Sequence, residues 1–382
     1  MGNVKNERML DFIFTGSPSF SARAGILQTA HYTVKTPAFM PVGTGAAVKA
    51  LTPDDLRDSG VEIIVANTYH LYLRPGHNII KFLGGLHGFM NWNRAILTDS
   101  GGFQAYSLMN TRKITEDGIH FKSEIDGSEH MLTPELAMEI QSALGSDIAM
   151  VLDECLSYPA TYEDTLRSQE LTTRWAKRSK AFSGREDQSI FGIVQGGMFA
   201  DLRKKSAGEL VDIGFDGYAI GGLSVGEDRS KMLEIAEATV EFLPKDKIRY
   251  LMGVGKPEDI VDAVAFGIDI FDCVIPTRNA RNGTLYTWNG SIAIKKSAYT
   301  RDERSLDESC KCYTCRNFSR AYLRHLWINQ EPLSFRLNTI HNVYFYQELM
   351  REIRRSIEIN KFDDFRKEFK NPIGGDEKCG QE

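Results

Sequence analysis

The apolar residues of this chain fall into short continuous runs, not into strict alternation. The runs cover 38–42, 63–66, 95–98, 148–153, 190–195, 218–221, 249–253 and 268–272. Each ends in glycine or a polar residue, and most are followed by a helical pattern. An unbroken apolar strand is one buried on both faces, as in a parallel sheet covered by helices. Helix starts fall between the runs. Thr52-Pro53-Asp54-Asp55 and Thr133-Pro134-Glu135 each place a hydroxyl cap, a first-turn proline and acids in order. A long amphipathic helix is expected over 161–182, and another opening at Lys256-Pro257-Glu258-Asp259.

Eight strand–helix units predict an α/β fold of the (β/α)8 TIM-barrel type, with its site at the C-terminal strand ends. A doubly wound open sheet is the alternative, but no Gly-rich fingerprint follows the first strand. Residues 11–16 and 22–34 read as short N-terminal strands. Two hairpins interrupt the rhythm, at 119–132 around Asp126-Gly127 and at 284–294 around Asn289-Gly290. One barrel domain over 11–370 is expected, including an insertion at 284–345 and a helical C-terminal segment. Residues 1–10 and 371–382 read as flexible tails.

Composition narrows the class. The chain is 42% hydrophobic and 25% charged, which is globular composition. It contains no apolar stretch of membrane-spanning length and no signal-peptide pattern at its start, so a cytoplasmic protein is expected. The net charge is −5, yet from 276 to 325 ten cations face only four acids. That local excess points to a polyanion partner.

Three of the six cysteines, Cys310, Cys312 and Cys315, stand within six residues of one another. With His341 they make a Cys3His set for one closed, structural zinc ion, with no position left for a catalytic water. His325 competes for the fourth place, but it shares a helical stripe with Phe318, Tyr322 and Leu326.

The strand ends carry the remaining chemistry. The eighth run delivers Asp272, then gives way to Thr277, Arg278, Asn279, Ala280 and Arg281, read as a cationic loop. The third run ends in Asp99-Ser100-Gly101-Gly102-Phe103-Gln104, the fourth in Asp153, the fifth in Gln195, the sixth in Gly221-Gly222-Leu223, and the seventh in Met252-Gly253-Val254-Gly255-Lys256. Glycines let a planar ligand approach the backbone, Phe103 offers a ring for stacking, and Asp99 with Asp272 forms a pair of carboxylates suited to separate nucleophile and acid/base roles. Each residue alone has a bland reading as a cap, a packed ring or a buried ion partner. Together they argue for a site.

These motifs resemble the bacterial tRNA-guanine transglycosylases over about residues 11–370. The strings that carry the likeness are 98–104, 192–197, 217–227 and 271–278, followed by the cysteine set. The resemblance implies a zinc-bearing barrel acting as a homodimer, and replacement of guanine at the wobble position of the tRNAs for Asp, Asn, His and Tyr by a 7-deazaguanine on the route to queuosine. It implies that Asp272 is the nucleophile on the ribose and Asp99 the acid/base. It makes Ser100, Gly101, Gly102, Phe103, Asp153, Gln195, Gly222, Leu223 and Met252 the base pocket, with Glu227 and the Leu223 carbonyl near an aminomethyl cation. Gly253 to Asp259 (with Val254, Gly255, Lys256, Pro257 and Glu258) and Thr277 to Arg281 would hold the anticodon loop. Phe103 stands where tyrosine is common, and Phe318 where some members have tryptophan. Cys155 and Val225 match members that take the small prequeuosine base. A non-catalytic tRNA-binding relative would lack one carboxylate, and a zinc hydrolase would need an open metal at the strand ends. Neither expectation fits these residues.

Overall fold

The computed structural model describes residues 11–14, 21–107, 113–182 and 184–370. The two tails expected to be flexible lie outside these described residues.

The eight apolar runs form the strands β1 (Ala38–Gly43), β2 (Ile63–Ala66), β3 (Ala95–Thr98), β4 (Ile148–Met150), β5 (Ser189–Val194), β6 (Gly217–Ile220), β7 (Ile248–Leu251) and β8 (Ile270–Cys273). They pair in parallel, each with its neighbours in chain order, and β8 closes on β1 with Asp272 opposite Met40. An open sheet is thereby excluded. Phe39, Met40, Val65, Leu97, Met150, Phe191, Ile193, Tyr250 and Phe271 are buried in the core. Three strands, β4, β7 and β8, are shorter than their apolar runs, β8 because it starts only at Ile270. Asp153 lies beyond the end of β4, and Met252 and Gly253 lie beyond the end of β7, so all three belong to the loops at the mouth.

The capping signals act as read. The Thr52 hydroxyl and the Asp55 carboxylate cap each other's backbone at the start of helix Pro53–Asp58. Thr133 and Thr161 cap helices Pro134–Leu144 and Tyr162–Ala181. Both hairpins differ in their turns. The first carries an additional strand, Lys113–Ile114, and its loop is closed by a bond from Ser123 N to Ser128 O of 2.8 Å, wider than a two-residue turn. In the second, Thr287 pairs with Gly290, which makes Trp288 and Asn289 the turn residues.

Strands Asp11–Phe14, Gly25–Gln28 and Thr33–Thr36 form an antiparallel sheet whose connections reach the N-terminal end of the barrel. Arg23 there pairs with Asp269, just ahead of β8, and His31 with Asp147, just ahead of β4. At the other end of the sequence, helix Pro332–Glu358 runs from the cysteine cluster to the barrel wall. Its buried Asn338 donates to Ala280 O, Asn342 to Pro276 O and Thr284 O, and Gln347 to Phe39 O. Buried amides that find such partners fix one arrangement of the helix against β1 and the segment that follows β8. No helix among the described residues is long and apolar enough to cross a membrane.

Candidate active site

A pocket of about 480 Å³ opens at the C-terminal strand ends, and its walls include Asp99, Ser100, Phe103, Asp153, Met252 and Asp272. Gly222 and Leu223 also reach it, while Gln195 stands behind, donating to Asp153 Oδ2 at 2.7 Å. Gly222 has φ +65°, which favours glycine, and a β-carbon there would collide with the Gln195 side-chain amide. Ser100 Oγ lies 3.3 Å from Asp153 Oδ1. Phe103 is half-exposed at the rim, free to cover a planar ligand.

The carboxylates differ in their surroundings. Burial pushes Asp99 up to about 7; the Thr68 amide opposes this and the nearby charge of Asp272 adds to it. Its oxygens accept from Thr68 N (2.9 Å), Asn67 Nδ2 (2.5 Å), Gly101 N (3.2 Å) and Gln104 Nε2 (3.2 Å). Asp272 is also raised by burial, partly countered by Tyr250 Oη at 2.6 Å and Gly253 N at 2.9 Å. Burial lifts Asp153 to about 6 against its bonds from Gln195 and Ser100. Cys155 is pushed by burial up to about 12 and stays a thiol. Glu227 accepts from the Ser224 and Val225 amides, closing the loop after β6.

Asn67, Thr68 and Tyr250 escaped the sequence reading, and Gln104, part of the third strand-end string, was given no role in it. Asn67 directly follows β2 and carried the same strand-end signal as Asp99. Tyr250 sat inside an apolar run, where its hydroxyl needs a partner once buried.

The basic segment is a correction. Residues Ile275–Arg281 are a helix, because Pro276 sits in its first turn with a preset φ and the backbone closes from Arg278 N to Val274 O at 2.8 Å. Thr277 and Ala280 face inward and are buried, while Arg278 is exposed and lines the pocket. Asn279 donates to Tyr286 Oη at 2.7 Å. The half-buried Arg281 donates to Thr277 O, and burial together with the Arg278 charge lowers its pKa. In the other segment, Val254, Gly255, Pro257 and Asp259 are buried, Asp259 in an ion pair with Arg229. Lys256 and Glu258 are exposed.

Cys310, Cys312, Cys315 and His341 converge, with all ligand atoms within 4.8 Å. His341 Nδ1 lies 3.7, 3.6 and 3.3 Å from the three sulfurs. A tetrahedral ion bound at ordinary zinc distances sets sulfur and nitrogen about 3.5 Å apart. His341 Nε2 donates to Tyr286 O at 2.7 Å, which leaves Nδ1 its lone pair for a metal. The cluster could therefore hold a metal ion. His325 instead contacts Asn329 on its own helix. A second grouping, His31, His87 and Asp147, lies at the opposite end of the barrel. Its imidazoles stack 3.7 Å apart, and His87 Nε2 is directed at Arg94 O at 3.1 Å, so that nitrogen serves as a donor.

A closed parallel barrel whose mouth gathers polar side chains, among them the carboxylic acids Asp99 and Asp272 facing one pocket, defines a (β/α)8 enzyme. The family described as Queuine tRNA-ribosyltransferase matches residues 19–373. Proteins of that name from Thermoanaerobacter pseudethanolicus and Caldanaerobacter subterraneus subsp. tengcongensis are 57% and 58% identical, over 93% and 91% of this chain and 95% and 93% of their own. One from Syntrophobacter fumaroxidans is 56% identical over 94% of this chain and 97% of its own. The chain belongs to the queuine tRNA-ribosyltransferase (tRNA-guanine transglycosylase) family and is a transferase of tRNA modification.

Proposed function

We propose that the enzyme exchanges guanine at the wobble position of GUN-anticodon tRNAs (Asp, Asn, His, Tyr) for 7-aminomethyl-7-deazaguanine, the queuosine precursor preQ1, by double displacement. The observation that carries this is the pair Asp99 and Asp272 in one pocket, both half-buried and held by different donors. Asp272 attacks the ribose anomeric carbon as the bond to guanine breaks, giving a tRNA–Asp272 ester. Asp99, whose pKa near 7 lets it keep a proton at neutral pH, hands that proton to the departing guanine and takes one from the incoming base. Two displacements retain the β-linkage.

Asp153, Gln195 and the Gly222 amide read the purine edge between Phe103 and Met252, with Ser100, Gly101 and Gly102 shaping the floor. The Leu223 carbonyl and Glu227 concern the aminomethyl cation. The exposed cations Lys256 and Arg278, with Arg281, engage the phosphates of an anticodon loop whose target base is flipped out. Cys310, Cys312, Cys315 and His341 hold one structural Zn2+ per subunit, which when bound ties the insertion to the long C-terminal helix. The stacked Phe318 and exposed Tyr322 suit a homodimer contact, whereas Leu326 is buried in the subunit. The working compartment is the cytoplasm.

Anticodon stem-loops that differ at the uridines flanking the target guanine test this reading. Exchange of labelled preQ1 into the uridine-flanked loop, with at least a ~100-fold loss when a flanking uridine is changed, is expected. Equal incorporation into every loop would overturn the assignment. Chelation should release the metal and unfold the cysteine insertion; full activity in a metal-free, fully folded sample would exclude a structural role.

A further inference from the structure

Asp272 is held by one oxygen. Both of its donors, Tyr250 Oη at 2.6 Å and Gly253 N at 2.9 Å, reach Oδ1. Among the described residues, no hydrogen bond reaches Oδ2. Tyr250 is fully buried on β7, and its hydroxyl bonds to nothing else among these residues. Inside the barrel a phenylalanine would fill the same volume with no polar atom to satisfy, so the hydroxyl is there for the carboxylate. Gly253, at φ +72°, turns its amide toward the same oxygen. The arrangement makes the two carboxylate oxygens chemically unequal.

We propose that Tyr250 is a positioning residue that, with the Gly253 amide, fixes Oδ1 as the charge-holding oxygen and leaves Oδ2 as the attacking one. The inference rests on the double displacement proposed above and deepens it. In the first step Oδ2 bonds to the anomeric carbon while the electron pair of the carbon–nitrogen bond leaves with guanine, which takes the Asp99 proton. Oδ1 becomes the ester carbonyl. In the second step the incoming base nitrogen attacks that carbon, its proton goes to Asp99, and the carbon–Oδ2 electron pair returns to the carboxylate. The returning charge is shared with Oδ1, where two donors already wait without reorganisation. The same bonds that temper the nucleophile make it a better leaving group, so the ester stays a minor but detectable fraction of the wild-type enzyme. Tyr250 thus sets the balance between forming and resolving the covalent intermediate.

The test compares wild type, Tyr250→Phe and site-specific 3-fluorotyrosine at position 250, which keeps ring and hydroxyl with a stronger donor. Carbon-13 NMR of labelled aspartates in the metal-loaded chain without RNA follows the Asp272 carboxyl, identified by its loss in Asp272→Asn. In Tyr250→Phe its titration should move up by about one unit. With a stem-loop and labelled guanine, kcat should fall about 10- to 100-fold and KM for RNA change less than about threefold. The steady-state fraction of RNA–protein adduct on a denaturing gel should rise in Tyr250→Phe and fall with fluorotyrosine. An unmoved Asp272 titration, or an adduct fraction unchanged in both variants while wild type exchanges guanine, overturns the role. A shifted titration in a protein whose wild type forms no adduct would instead overturn the double displacement, and the role of Tyr250 with it.

Discussion

At the N-terminal end of the barrel, burial pushes the Asp147 carboxyl up, but bonds from His87, the Ile96 amide and His31 outweigh it and hold the group below the usual carboxylate range. At the C-terminal end Asp99 accepts as many bonds, all from neutral amides, and burial beside a second carboxylate carries it to about 7. The end that holds the fold gives its acid partners that can carry positive charge. The end that faces the ligand withholds them, which leaves the acid protonatable near neutral pH and the charge balance to be completed by a substrate. Hydrogen-bond number alone does not decide ionisation here; burial and a neighbouring carboxylate raise one acid, whereas the bonds to the other outweigh its burial.

The largest test of that contrast is Asp272→Asn. Base exchange should fall at least ~10³-fold and the covalent tRNA adduct vanish, while tRNA affinity stays within about threefold, since the amide preserves shape and only the nucleophile is lost. Exchange of radiolabelled guanine and a filter-binding titration read the two quantities. Near wild-type exchange would remove Asp272 from the mechanism.

Next in size is the exchange of penalties between the two ends. Asp147→Asn should cost about 2–3 kcal/mol in denaturant unfolding, because it leaves two histidines and two amides facing a weaker acceptor. The activity of the molecules that remain folded should be unaltered. Asp99→Asn should do the reverse, losing activity without losing stability at pH 7.

The smallest effect is a slope. The unfolded chain ionises Asp99 near 3.9, whereas the folded protein keeps that proton until about 7. Through that window the folded state binds the extra proton, so the Asp99 contribution to stability falls as pH rises and is flat above it. Asp147, depressed on folding, acts oppositely: its contribution is present above the unfolded value and is lost as pH falls through the folded one. Asp99→Asn should therefore gain about 1–2 kcal/mol on wild type between pH 4 and pH 7, discounted for water in the open pocket. Unfolding curves across that range check it; a parallel pair of profiles would refute the raised carboxyl.

The barrel was legible because parallel strands buried on both faces leave unbroken apolar runs, and because Thr52, Thr133 and Thr161 announce their helices. The grouping of Cys310, Cys312, Cys315 and His341 was legible because three of its members are close in sequence. The Ile275–Arg281 helix was not, since seven residues dominated by Pro276 and two arginines show no apolar period. Nor was the grouping of His31, His87 and Asp147, whose members are dispersed in sequence and meet only in the folded structure. Tyr250 was hidden for a third reason. Only the strand register reveals that its hydroxyl points at Asp272 and not into the helical layer.

The pairing of Asp272 with Met40 has a consequence for biosynthesis. The strand bearing the proposed nucleophile closes the seam between the first and last strands of the barrel, segments made far apart in time on the ribosome. An unfinished chain can hold Asp99 and Asp153 and still have no attacking group in place. On the double displacement proposed above, chemical competence would arrive only with that closure, and a nascent or broken molecule that captures tRNA would have no means of cutting the base from it.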